Sequence, residues 1–175
     1  GQRATAGAIE RVRIDRETLE PKFRVIGSEL WSTEVGFADS TNELSITGIC
    51  GSGIIEVVAE MFLAGIISED GIVDGALAER SSRVRSHGRT WSYVLHFAED
   101  ETQRDIVVTQ NDVRQIQLAK AALYAGIKLL MDKMGVSAVD RIRLAGAFGS
   151  HISVEHAMVL GLSLIHISEP TRLEP

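Results

Sequence analysis

Two short glycine-rich segments, both predicted to be turns, are the first features of this sequence that could do chemistry. GICGSG occupies residues 48–53 before an expected helix, and AGAFG occupies residues 145–149 after an expected strand. Glycines let backbone N–H groups point at a ligand with no Cβ in the way, and a helix N-terminus adds partial positive charge that suits phosphate. Close packing between a helix and a strand would explain either segment as well, so both interpretations stay open. Neither segment matches a Gly-Lys-Ser/Thr phosphate loop or a dinucleotide fingerprint, and those classes are disfavoured.

Two histidines and a glutamate near the end of the chain raise the question of a metal site. His151 and His156 are five residues apart, which on a helix turns them about 140° away from each other. The string that contains them, with Glu155, also fails the known zinc helix patterns by one residue. We therefore expect solvent-exposed or cap positions here, and no metal ligands.

The charges of the chain argue against a nucleic-acid partner. Acidic residues number 24 against 18 basic ones, and the basic residues are scattered along the sequence. One modest basic cluster is typical of a solvated loop, with the docking of an acidic partner as the alternative; it consists of Arg80, Arg83, Arg85 and Arg89.

The cysteine content and the distribution of hydrophobic residues indicate the cellular compartment. Cys50 is the single cysteine, so the chain holds neither an internal disulfide nor a cysteine-bound metal or iron–sulfur centre. No leader and no membrane-spanning apolar run is visible, so we expect a cytoplasmic protein without membrane contact. Cys50 itself is expected to be a small buried residue and not a redox centre.

The length of 175 residues, 45% of them hydrophobic, fits one folded unit or part of one. The chain begins at Gly1 in mid-pattern, so we expect a fragment. From Leu162 the sequence LSLIHISEPTRLEP resembles a translated sequencing-library adapter, with a native tail as the alternative. We therefore predict one domain over residues 1–161 and a non-native tail over residues 162–175.

Hydrophobic periodicity predicts an α/β protein. Two strand pairs are expected, residues 5–14 with 22–27 and residues 89–97 with 104–109, and residues 68–88 are expected to be a polar connection. Helices are predicted from about Ser52 to Ile67 and, more strongly, from Thr109 to Met134, with Asp112 in the first turn and Gly135 as the C-terminal cap. A short buried strand, VDRIRLAGA, and a helix beginning in SVEHAMVLG follow.

Five strings in the right order carry a family resemblance. GAIERVRID, VIGSELW, TGICGSGIIEVVAEMFLAGIISEDG, TQNDVRQIQLAKAALYAGIKLLMDKMG and IRLAGAFGSHIS together resemble the C-terminal half of reductive activators of corrinoid proteins. These proteins belong to the superfamily of acetate and sugar kinases, heat-shock ATPases and actin. The resemblance implies an incomplete ribonuclease-H-like (actin-like ATPase) domain with a mixed sheet and packed helices, over roughly residues 1–161.

The resemblance implies a function for the parent protein. It would be an ATP-dependent activase that returns cobalt(II) corrinoid protein to cobalt(I) for a methyltransferase system. ATP or ADP with Mg²⁺ would be its nucleotide, and the electron would come from a ferredoxin-type iron–sulfur domain absent from this chain. The implied partner is the corrinoid protein, and a homodimer is a possible assembly state.

The resemblance also implies site residues. Adenosine would lie against Gly146, Ala147, Phe148 and Gly149, although Phe148 could simply belong to the core. Gln117 and Lys120, three residues apart on the long helix, would hold the other side of the nucleoside, or else form a solvated stripe. The backbone of Gly51, Ser52 and Gly53 would lie near the phosphates.

What the sequence lacks limits these expectations. The superfamily's Asp-x-Gly-Thr motif does not occur, so we expect this chain alone to hydrolyse no ATP. Because the sheet and the nucleotide cleft would both be incomplete, we also expect an exposed apolar edge. Three alternatives remain open: a small-molecule kinase of the same superfamily, a non-redox ATP-gated scaffold, and an activator of another low-potential enzyme such as a dehydratase.

Overall fold

The computed structural model describes residues 1–98, 103–139, 143 and 145–161. Helices alternate with two small sheets, as expected for an α/β protein. The elements are β1 (Ile9–Ile14), β2 (Pro21–Val25), α1 (Phe37–Thr41), α2 (Gly51–Leu63), a 3₁₀ helix (Gly75–Glu79), β3 (Val84–His87), β4 (Thr90–His96), β5 (Ile106–Thr109), α3 (Gln110–Met134), α4 (Gly146–His151) and α5 (Val154–Val159).

The first sheet is the predicted hairpin, somewhat shorter than expected. β1 and β2 pair in antiparallel fashion with an irregularity between Ile9 and Arg11. One face of the hairpin is buried, because alternate residues of a strand point to the same side. Ile9 also forms a parallel bridge with Ile49, which makes the hydrogen bonding at this end mixed.

Helix α2 packs on β1 at close range. A Cβ at Gly53 would lie 2.4 Å from the carbonyl oxygen of Ile9, so only glycine lets the helix approach this near. The predicted helix continued to Ile67, whereas α2 ends at Leu63. Gly65 adopts the left-handed conformation (φ 70°) and reverses the chain, and Ile66 and Ile67 are buried beyond it.

The second sheet has the antiparallel order β3-β4-β5. The predicted pair β4 and β5 is confirmed, whereas β3 and the 3₁₀ helix lie in the segment expected to be a polar connection. Tyr93 of β4 is fully buried, and its hydroxyl donates to the carbonyl of Leu19 at 2.8 Å, which ties this sheet to the hairpin. Burial raises the pKa of Tyr93.

Helix α3 has the predicted ends. The Thr109 side chain accepts from the N–H of Asp112 while the Asp112 carboxylate accepts from the N–H of Thr109, and Gly135 caps the C-terminus at φ 65°. Its predicted apolar stripe is only partly covered. Val113 is buried, whereas Leu130 and Met134 are 60% and 75% exposed. Part of the apolar surface of α3 is therefore exposed.

The chain after α3 departs from the prediction. The predicted strand VDRIRLAGA lies largely outside the described residues. Residues 146–149, predicted as a turn, form most of the short helix α4. Glycine and alanine are sterically compatible with both a turn and a short helix, so these residue types alone do not distinguish the two conformations. The predicted helix after it is α5, with Ser153 as its N-cap. In the described part of the chain, no helix is long and apolar enough to cross a membrane.

Candidate functional site

The N-terminus of α2 presents backbone donors and few side-chain groups. Cys50 is the N-cap in an extended conformation and makes no side-chain cap, and the first N–H groups of a helix have no acceptor within it. Ser52 and Cys50 are 6% and 2% exposed, and their Oγ and Sγ atoms lie 3.2 Å apart. The predicted burial of Cys50 is confirmed. Any role of Gly51, Ser52 and Gly53 toward phosphate would therefore use their N–H groups.

Gly53 has a packing explanation. The site of its missing Cβ is 2.4 Å from the Ile9 oxygen and 2.7 Å from Cγ2 of Ile49. Close helix–strand packing, the alternative that the sequence left open, accounts for this glycine without a ligand.

Gln117 and Lys120 line one cleft of about 270 Å³ between α2, α3 and the end of α5. The Nε2 group of Gln117 donates to the carbonyl of Asp70 at 2.8 Å, which fixes its side chain. Lys120 is exposed, and a Cβ placed on Gly161 would lie 2.9 Å from its Nζ atom. The structure therefore brings the two predicted residues to the same cleft, with a fixed amide and an ammonium group that has no ion pair with any described residue.

The other walls of this cleft are mainly apolar. Aliphatic and aromatic side chains come from α2, the segment after it, α3 and α5: Val58, Phe62, Ile67, Val113, Ile116, Val159 and Leu160. Apolar walls with a few polar groups are typical of small-molecule sites. Ser68 and Glu69 also line the cleft, which therefore combines apolar walls with several polar groups.

The second glycine segment lies apart from that cleft. Gly146 is exposed at φ 92°, and a Cβ there would meet no atom within 4 Å. Neither Gly146 nor Gly149 lines the cleft of Gln117 and Lys120. The side chains of Ala147 and Phe148 lie outside the described residues. The structure thus joins Gln117 with Lys120 but does not join this pair to Gly146 or Gly149.

His156 is buried, which corrects the expectation of an exposed or cap position. Its side chain is 5% exposed, and its Nε2 atom lies 2.8 Å from Oε1 of Glu60 on α2. Its Nδ1 atom lies 2.7 Å from Oγ of Ser153. Sequence reasoning compared His156 only with its neighbours on α5, whereas its partner is 96 residues away. His151 and Glu155 are exposed, as expected.

A second buried carboxylate lies one turn earlier on α2. Glu56 is fully buried; it accepts from the N–H of Val12 at 3.0 Å and pairs with Arg11 and Arg13 at 2.7 Å each. Glu60 likewise accepts from the N–H of Ile14 at 2.9 Å. The two glutamates thus hydrogen-bond to the edge of β1. Two carboxylates four residues apart within an apolar helical stretch are the sequence signal that could have revealed this network.

The arginine cluster lies on β3 and in the segments next to it, and its side chains are mostly engaged inside the chain, so the expected solvated loop is wrong for Arg83 and Arg85. Arg83 pairs with Glu20 at 2.7 Å, and Arg85 pairs with Asp105 at 2.9 Å. Arg80 donates to the carbonyl of Glu17. Arg89 is exposed in the turn between β3 and β4. Docking of an acidic partner at this cluster, the alternative that the sequence left open, would compete with these contacts.

Comparisons with known proteins agree with one another. The family model of the C-terminal domain of RACo, the ASKHA domain, matches residues 1–168. The corrinoid activation enzyme RamQ of Eubacterium limosum is 32% identical over 170 residues, which cover 93% of this chain and 26% of that enzyme. A solved structure titled reductive activator for corrinoid, iron–sulfur protein aligns with a TM-score of 0.71 at 32% identity, over 90% of this chain and 23% of that one. The chain spans about a quarter of the length of these relatives.

Proposed function

We propose, on the premise that this chain belongs to the family of the RACo C-terminal ASKHA domain, that it is the nucleoside-binding part of an ATP-dependent corrinoid activase. The family assignment and the aligned structure confirm the predicted actin-like ATPase fold. The relatives are named for corrinoid activation, which supports the same role for the parent of this chain. The parent would return cobalt(II) corrinoid protein to cobalt(I).

The single observation that carries the proposal is the shared cleft of Gln117 and Lys120. A fixed amide, an ammonium group and apolar walls fit the polar edge and the flat face of a nucleoside. The N–H groups of Gly51, Ser52 and Gly53 would hold phosphate. Gly146, Ala147, Phe148 and Gly149 would lie against the adenosine, as the family resemblance implies, although Gly146 and Gly149 do not line the cleft of Gln117 and Lys120. ATP would supply the free energy for the uphill electron transfer.

Magnesium and iron–sulfur ligands would come from elsewhere in the parent. Within the described part of the chain, no group of three His, Cys, Asp or Glu side chains could hold a metal ion. One cysteine cannot hold an iron–sulfur cluster. The partner would be the corrinoid protein of a methyltransferase system in the cytoplasm, and a homodimer is a possible assembly state of the parent.

The test compares two lysines of α3 in the full-length parent. Lys120→Ala should raise the Kd for ATP about tenfold, because a charge-assisted hydrogen bond contributes roughly 1.5–3 kcal/mol. Lys128→Ala is the matched control, since Lys128 is an exposed residue of the same helix paired only with Asp132 in the described chain. Equal ATP affinity of the two variants, measured by calorimetry, would contradict the proposed site.

A second pair of variants tests the glycine segment. Gly146→Ala and Gly135→Ala place the same methyl group at left-handed positions, φ 92° and 65°, where no atom lies within 4 Å of it. Both variants therefore carry backbone strain without a clash. Only Gly146→Ala should weaken ATP binding if residues 146–149 contact the nucleoside. An equal loss of ATP affinity in both variants would show that backbone strain alone causes it and that residues 146–149 do not contact the nucleoside.

A further inference from the structure

Four basic side chains share the solvent face of hairpin β1–β2. The register places Arg11 opposite Arg24 and Arg13 opposite Lys22, and opposite residues of an antiparallel pair point to the same side. Val12, between the two arginines of β1, is buried on the other side. The fold thus gathers cations that are scattered in the sequence, and we call these four residues together with Trp31 the basic face.

The basic face is incompletely neutralised. Like charges directly opposite each other destabilise a strand pair. Both arginines of β1 share the one carboxylate of Glu56, and Arg24 pairs with Glu29, which is 92% exposed and so contributes little. Lys22 is exposed and has no ion pair with any described residue. Among the described residues, the four cations form ion pairs with two carboxylates, and a third carboxylate, that of Glu34, accepts from the N–H of Trp31. The buried Nε of Arg24 has no hydrogen-bond partner in the described chain.

Trp31 adds an aromatic ring to this surface. The ring lies 5.2 Å from the ammonium group of Lys22 and 5.8 Å from the guanidinium carbon of Arg13, measured to its centroid. It is half-buried. Tryptophan and arginine are enriched at the centres of protein interfaces, where aromatic area and charge act together.

We propose that the basic face docks an acidic surface of the corrinoid protein; this inference rests on the proposed function. The chain carries a formal net charge of −6. An acidic partner is therefore repelled by most of this chain and attracted to this face, which orients the encounter. The same net charge and the small number of cations disfavour nucleic acid as the occupant.

The experiment measures the affinity of the full-length parent for its corrinoid protein at low and high salt. Lys22→Glu should weaken binding about tenfold at low salt, since it turns attraction into repulsion at an exposed position. Arg89→Glu changes the net charge equally in an exposed turn outside the face and should leave the affinity within about twofold of wild type. High salt should remove most of the difference. Equal affinity of the two variants would overturn the proposal.

Further measurements separate this inference from the proposed function. If the wild-type parent does not reduce the corrinoid protein, the proposed function fails. If it does, and Lys22→Glu raises KM for the corrinoid protein while kcat is kept, docking at this face is supported; an unchanged KM overturns it. Lys22→Gln should give a KM between those of wild type and Lys22→Glu, and it replaces Lys22→Glu in the test if the charge reversal impairs folding. Competition by duplex DNA that is stronger than competition by polyglutamate would also overturn the protein-docking proposal.

Discussion

His156 on α5 and Glu60 on α2 form a buried ion pair or hydrogen bond, with Nε2 and Oε1 at 2.8 Å. Glu60 also accepts from the N–H of Ile14, so one carboxylate joins β1, α2 and α5. His156 is in turn fixed by Ser153, the N-cap of α5. This carboxylate holds the C-terminal helix against the first sheet.

The first prediction concerns this contact. His156→Ala should lower the free energy of unfolding by about 1–3 kcal/mol, because it leaves a buried carboxylate oxygen without its partner. His151→Ala is the control, since His151 is exposed on α4, and should change stability by less than about 0.5 kcal/mol. Urea denaturation measures both. Equal effects of the two substitutions would mean that the contact contributes nothing specific.

Substitution of the buried Glu56 should lower stability more than substitution of His156. Glu56→Ala removes the partner of two arginines and of the Val12 N–H, and should cost about 3 kcal/mol or more. Glu29→Ala removes a carboxylate that is 92% exposed and should cost almost nothing. The two midpoints of urea unfolding, compared at neutral pH, test this. A loss for Glu56→Ala as small as that for Glu29→Ala would contradict the described network.

Two glycine-to-alanine substitutions in helices should change stability in opposite directions. Gly53→Ala would place a Cβ 2.4 Å from a backbone oxygen of β1, so it should destabilise the chain by forcing α2 outward. Gly126→Ala on α3 meets no atom within 4 Å and should stabilise by about 1 kcal/mol through helix propensity. Thermal unfolding of both variants gives the test. Stabilisation by Gly53→Ala would refute the close packing of α2 on β1.

Asp15 should make stability depend on acid pH. The N–H of Thr18, then its hydroxyl, lower the pKa of Asp15 below the ordinary value of 3.8, at 2.7 Å and 2.9 Å. The folded chain thus favours the ionised form, and the stabilisation is present above the unfolded pKa and lost as the pH falls through the folded pKa. Wild type should exceed Asp15→Asn in stability near neutral pH and lose that advantage in strong acid. A difference that does not change with pH would contradict this assignment.

Local signals predicted the ends of α3 well. Thr109 with Asp112, and Gly135 after the last helical turn, act through nearest-neighbour chemistry that the sequence displays directly. β3 was missed because only Val84 of its four residues is buried, so its sequence lacks the alternation of a half-buried strand.

Long-range contacts could not be predicted in the same way. The burial of His156 depends on Glu60, and the basic face depends on which residues of β1 and β2 stand opposite each other. The family resemblance placed Gln117 and Lys120 on a nucleoside site, and the structure brings them to one cleft. The resemblance could not reveal that residues 146–149 form a short helix, because glycine allows a turn and the start of a helix equally.

The most direct test of the central claim is the ATP dependence of corrinoid reduction. The full-length parent would be mixed with its cobalt(II) corrinoid protein and a low-potential reductant, and the cobalt(I) absorption spectrum would be followed with and without ATP. We predict cobalt(I) formation that requires ATP, that is kept in Lys128→Ala, and that needs about tenfold more ATP in Lys120→Ala. Reduction at the same rate without ATP, or no reduction at all by the wild-type protein, would contradict the account.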